Sequence, residues 1–183
     1  MMRNLAGLVF ALVIASCASD PRNNKQMTFD DAIAFQNRAT AKVLAAQQTI
    51  RSLSNDQVAA RLKAQLTDVT AIIKQTGHGI YVEYTGPDGA LFMWYPGNSG
   101  VVAGTWGIDQ SYAPPRACFK YFAARHGVTG EFEPNECVPP SQTLSAANVI
   151  EKRAGDVYQL RTKGIPYVKT AGNLPPWPEE WSD

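Results

Sequence analysis

Histidine is nearly absent from this chain, and so is any excess of charge. His78 and His126 are the two histidines, and neither stands at a ligand spacing from a cysteine, which disfavours a metal centre. Lysine and arginine number 17 against 16 aspartates and glutamates. A chain so balanced lacks the basic face that nucleic acid demands, so no nucleic-acid partner is expected. Beyond the first 16 residues no apolar run is long enough to span a bilayer. Catalytic signatures are missing too. Gly97-Asn98-Ser99-Gly100 departs from Gly-x-Ser-x-Gly, because Val101 stands where the second glycine belongs. It also joins two predicted strands rather than a strand and a helix. No pair of carboxylates stands out for acid–base work, and Glu83, opposite Ile80 and Val82 in the alternation, reads as solvated. His78, between two glycines at a helix-to-strand joint, suits capping, and His126 reads as facing water. The expectation is a protein without a cofactor and without enzymatic activity.

What is present begins at the N-terminus. Arg3 precedes an apolar run from Leu5 to Ile14, followed by the small residues Ala15 and Ser16. Such a run of about ten residues fits the apolar region of a signal peptide and falls well short of a membrane span of about 20. Cleavage after Ala18 and an uncleaved anchor are the alternatives. The tetrad Ile14-Ala15-Ser16-Cys17 resembles the lipobox of bacterial lipoproteins. The resemblance implies removal of residues 1–16 and a diacylglycerol thioether on Cys17, with a third acyl chain on its amine. Ala18, where an inner-membrane retention signal would have Asp, implies the periplasmic face of the outer membrane. Two or three acyl chains at about 0.8 kcal/mol per buried methylene make a lasting anchor.

With Cys17 assigned to lipid, Cys118 and Cys137 remain, 19 positions apart. In an oxidising compartment they are most simply a disulfide, worth about 3 kcal/mol in the chain-entropy model. Their spacing is not the C-x-x-C of a reactive pair.

Residues 17–27 are polar and read as a lipidated tether. Residues 28–76 have helical texture: Thr28 with Asp31, and Ser54 with Gln57, are N-terminal capping signatures, with a break at Ser52–Ser54. Phe29, Ile33, Ala39, Val43, Ala46, Ile50 and Leu53 form one apolar stripe, and Val58, Leu62, Leu66, Val69 and Ile73 a second. A helical hairpin, or one long kinked helix, is expected. Residues 77–171 change to strand texture. His78–Thr85 alternates, Gly86-Pro87-Asp88-Gly89 is a hairpin turn, and Ala90–Tyr95 is apolar on both faces. Strands at Val101–Asp109 and Ala117–Ala123 complete a meander, with Asp156–Arg161 and Tyr167–Thr170 as extensions and a short helix around Leu144–Arg153. Residues 172–183 form a Pro- and Trp-rich extended tail. The fold class is α+β: an N-terminal helical hairpin, then a small antiparallel meander or half-barrel with one disulfide.

The run Asp88 to Asn98, then Gly104-Thr105-Trp106, then Ala117-Cys118-Phe119-Lys120-Tyr121 with Cys137, resembles a family of uncharacterised alphaproteobacterial envelope proteins. It implies the sheet and the disulfide and supplies no catalytic residue. Among the aromatic residues Tyr81, Trp94, Tyr95, Trp106 and Tyr112, the group Trp94, Tyr95 and Asn98 is the candidate ligand-binding set, suited to a cell-wall glycan or a peptide. The competing reading packs Trp106 on the disulfide and Trp94 under the helices. The expected function is a non-enzymatic binding or structural lipoprotein held to the membrane by its lipid. A protein partner on helices 28–76 is one alternative. A periplasmic enzyme or inhibitor acting on cell-wall polymer or its hydrolases is the other.

Overall fold

The computed structural model describes residues 29–75, 79–94, 100–122 and 136–162. Helix α1 spans Phe29–Ile50 and helix α2 Asn55–Leu66. The joint falls at the expected break. The Ser54 hydroxyl accepts from the Gln57 amide at 3.2 Å, and the Gln57 side chain accepts from the Ser54 amide at 2.8 Å, a reciprocal cap that satisfies two otherwise orphaned donors. Thr28 lies outside the described residues.

The expected second helix is overturned beyond Leu66. Residues Val69–Gln75 form strand β1. Five of the seven residues Thr67–Ile73 are β-branched, which costs side-chain freedom in a helix and suits a pleated surface. Apolar spacings of three and four are compatible with either period over so short a run, and pairing with two neighbouring strands decides it.

Six further strands follow: β2 (Gly79–Thr85), β3 (Ala90–Trp94), β4 (Val102–Asp109), β5 (Arg116–Tyr121), β6 (Glu136–Val138) and β7 (Val149–Ala154). Helix α3 (Pro140–Ser145) joins β6 to β7. The predicted helix around Leu144–Arg153 is overturned: α3 overlaps it at Leu144 and Ser145, and its Val-Ile-Glu-Lys-Arg stretch pairs antiparallel with β1 instead. Residues Asp156–Arg161 are turns rather than a strand, because the Asp156 carboxylate accepts from the Leu160 and Arg161 amides, both at 2.8 Å. The strand proposed at Tyr167–Thr170 and the tail 172–183 lie outside the described residues. The Gly86–Gly89 turn is as expected: Gly89 takes a φ of +83°, where a side chain is strained, and Gly86 and Ala90 close the turn at 2.8 Å.

All neighbouring strands are antiparallel, in the order β6-β5-β4-β3-β2-β1-β7. The edge strands are therefore consecutive in sequence but six strand spacings apart, about 29 Å in a flat sheet. The short α3 connection between them requires the sheet to curl into a half-barrel.

Registers assign the two faces. Ile72, Val82, Tyr84 and Trp94 lie on the outer face, where Val157, Tyr158 and Leu160 cover them and complete the core. Thr70 pins this C-terminal strap: its hydroxyl donates to the Gly155 carbonyl at 2.5 Å and accepts from the Val157 amide at 3.3 Å. An ion pair between Arg161 and Asp88 holds its end, and the Arg161 guanidinium lies 5.9 Å from the Phe92 ring. The inner face carries Ala71, Tyr81, Glu83, Leu91 and Met93, all buried. Helix α2, with Val58 and Leu62 buried, packs on β4, β5 and α3, while α1 packs on α3. The two predicted helices thus share α3 as a common support.

Candidate functional site

The inner face of the curl encloses a cavity of about 180 Å³. Strands from both ends of the sheet line it, with α3 and the end of α2 closing its sides. Exposed Glu136, Gln142 and Asn148 mark its mouth.

Glu83 stands in this cavity at 7 % exposure. The alternation of β2 dictates its direction. Tyr81, Glu83 and Thr85 share the inner face, and Val82 and Tyr84 the outer. The expectation that Glu83 is solvated is thereby overturned: the curl buries the face that a flat sheet would leave wet. The Tyr121 hydroxyl donates to Glu83 Oε2. Strands β2 and β5 are separated by β3 and β4, about 14 Å in a flat sheet, so this hydrogen bond exists only because the sheet is bent.

Burial raises the Glu83 carboxyl to a pKa of about 7; the Tyr121 hydrogen bond opposes this, the Glu136 charge adds to it, and the Lys152 charge opposes it. Lys152 lies on β7, the last strand of the sheet. Its ammonium donates to the Gln65 carbonyl at 3.2 Å, and burial lowers its pKa against the attraction of Glu83. Thr85 donates to the Leu66 carbonyl and ties the cavity wall to the end of α2. The Thr143 hydroxyl also lines the cavity and is buried, with no hydrogen-bond partner among the described residues.

Gly104 shapes the bend. It lies opposite Tyr121 on β5, and a Cβ at this position would come within 2.2 Å of the Lys120 carbonyl oxygen. The absence of a side chain lets β5 close on β4 and brings Tyr121 across the curl.

The residues singled out from sequence fall elsewhere. Trp94 is 1 % exposed and packs in the outer-face core beside Val82 and Leu160, so its indole offers no surface to a glycan. It lies beneath the C-terminal strap rather than the helices. Tyr95, Asn98 and Cys17 lie outside the described residues, as do His78 and His126. Trp106 pairs in register with Phe119, on the face opposite Cys118, so it does not pack on the disulfide. Its indole N–H donates to the Gly86 carbonyl at 2.9 Å and braces the β2–β3 turn. Tyr112 is at the surface, with the Arg116 guanidinium 4.4 Å from its ring. Of the aromatic set, Tyr81 reaches the cavity.

Cys118 and Cys137 are bonded, with S–S 2.09 Å and Cα–Cα 4.0 Å, as directly opposed partners on β5 and β6. Among the described residues the one grouping of metal-type ligand atoms is Asp109 with these two sulfurs, and the disulfide consumes both thiols. No helix among the described residues is long and apolar enough to cross a membrane. Comparison with family models, curated proteins and solved structures gives no match.

Glu83 could have been found in the sequence. Ala90–Trp94 is apolar on both faces, so the sheet must be covered on both sides. An acid in the adjacent strand then faces a covered surface whichever way it points.

Proposed function

We propose that this protein is a lipid-anchored, periplasm-facing binding module, without enzymatic activity, that takes a small polar molecule into the curl of its sheet. The observation that carries the reading is the buried Glu83 carboxylate, held by the half-buried Tyr121, on the wall of an open cavity. A buried ionisable group with a shifted pKa in a cavity marks a functional-site candidate. The anchor rests on the Leu5–Ile14 run and the Ile14–Cys17 tetrad. The resemblance of residues 78–137 to envelope proteins agrees with the compartment. Leu44, 54 % exposed on α1, and Ile33 three turns before it leave apolar surface for a protein partner on the helices.

Two measurements test this. Cys17→Ser should move the protein from the membrane fraction to the soluble fraction, and unchanged fractionation would remove the anchor. Native mass spectrometry of detergent-extracted protein should show a bound small molecule that is lost when Thr143→Leu fills the cavity. Identical spectra for the two proteins would remove the binding reading.

The near-neutral pKa of Glu83 supports a second reading, a periplasmic enzyme in which Glu83 passes a proton to or from its substrate. The cavity has the volume of about six waters, so such an enzyme would act on small molecules rather than on a strand of cell-wall polymer.

A further inference from the structure

We propose that the ligand of the half-barrel cavity is a small organic cation, a primary amine or amidinium of about six heavy atoms, bound by the Glu83 carboxylate. The inference rests on the binding reading above and names the chemistry of that site.

Charge is the first argument. Among the described residues the ionisable groups facing Glu83 are Tyr81 from its own strand, Tyr121 from β5, Glu136 from β6 and Lys152 from β7. Strand β1 and helices α2 and α3 contribute no charged side chain to the lining. Two carboxylates, Glu83 inside and Glu136 at the exposed mouth, therefore meet one ammonium, Lys152, which also donates to the Gln65 carbonyl. With all three ionised the lining carries a net charge of one negative, shared between the interior and the mouth. An anion would add to it and a neutral molecule would leave it, whereas a single cation cancels it.

Hydrogen bonding agrees. An ammonium is purely a donor and needs acceptors. Glu83 offers its carboxylate on the cavity wall. The aromatic walls, Tyr81, Phe119 and Tyr121, suit a cation better than they suit an anion.

The apo protein meets the same charge problem with a proton. Glu83, poised at about 7, is largely neutral in mild acid. An entering cation takes the place of that proton, which leaves Glu83 for solvent. Binding is therefore coupled to proton release and weakens as the pH falls.

The test is titration calorimetry of the full-length, detergent-solubilised protein with butylamine, ethanolamine and guanidinium, against butyrate and glycerol. Two non-cationic buffers of different ionisation enthalpy report the protons exchanged. At least one cationic probe should bind, with more than half a proton released at pH 6.5. Apparent affinity should be more than about tenfold weaker at pH 5.5 than at pH 8, following the ionised fraction of Glu83. Glu83→Gln should abolish both binding and proton release, and Thr143→Leu should abolish binding through a different residue should Glu83→Gln fail to fold. Preference for butyrate or glycerol over the amines would overturn the cation while leaving a binding module. Cation binding without proton release, or unaltered in both variants, would overturn the assignment to this cavity. Failure of every probe would overturn the cation together with the binding reading beneath it.

Discussion

The Tyr121 hydroxyl donates to the Glu83 carboxylate across two intervening strands. One hydrogen bond thus records the bend between β2 and β5 and moderates the effect of burial on Glu83. Tyr121→Phe removes the donor and leaves the ring. Because this hydrogen bond holds the Glu83 pKa down, the substitution should raise it further above 7. Side-chain carbon NMR of Glu83 across a pH titration measures the change. At pH above 7 the variant should also lose about 1–3 kcal/mol of stability, since a buried carboxylate loses a partner.

Glu83 makes stability fall as pH rises. Below its ordinary value of 4.5 the carboxyl is protonated in both the folded and the unfolded chain. Between 4.5 and about 7 the unfolded chain gives up the proton while the folded chain retains it. Stability should therefore decline across that window by about 3 kcal/mol and level off above it. Denaturant midpoints from pH 4.5 to 8 should show this slope, and Glu83→Gln should flatten it.

Gly104→Ala should open the bend. The added methyl meets the backbone of β5 at Lys120, which cannot step aside as a side chain would. A loss of about 1–3 kcal/mol is expected from the overpacking. Thermal unfolding measures the loss, and weaker protection of the Tyr121 amide in hydrogen exchange would place it at β4–β5.

The C-terminal strap contributes a share of the core out of proportion to its length. Leu160 is almost fully buried against the outer face, in one cluster with Trp94 and Ile72. Leu160→Ala should cost about 2–5 kcal/mol. Val157 and Tyr158 should then lose proton-exchange protection before the strands beneath them.

Replacing both cysteines of the Cys118–Cys137 pair by serine should lower stability by about 3 kcal/mol through freer unfolded chain. Among the described residues the short β6 has β5 as its one strand neighbour, so hydrogen exchange at residues 136–138 should rise first.

Much of the architecture could be read before any coordinates. The Ser54–Gln57 cap, the Gly86–Gly89 turn, the meander from β2 to β5 and the disulfide all rest on local rules, and local rules are visible in local sequence. Val69–Gln75 was not legible, because its apolar spacing fits two periods and only partners distant in sequence choose between them. The same applies to β7, whose pairing with β1 is set by curvature. The candidate site was misread for a related reason. Aromatic residues near a turn suggest Trp94, but alternation sends Trp94 outward with its ladder partner Val82 beneath the strap, while Glu83, opposite Met93, turns inward. Deciding which face is inside required the bend, and the bend depends on contacts across four strands.

The pairing of β7 with β1 joins residues such as Val69 and Ala154, far apart along the chain, and the strap that seals the outer face comes later still. A nascent polypeptide cannot complete its sheet until nearly all of the described sequence is available, and topologies dominated by distant pairings form slowly. Synthesis therefore runs well ahead of final assembly. A protein built in this order holds an unfinished sheet until β7 and the strap have emerged.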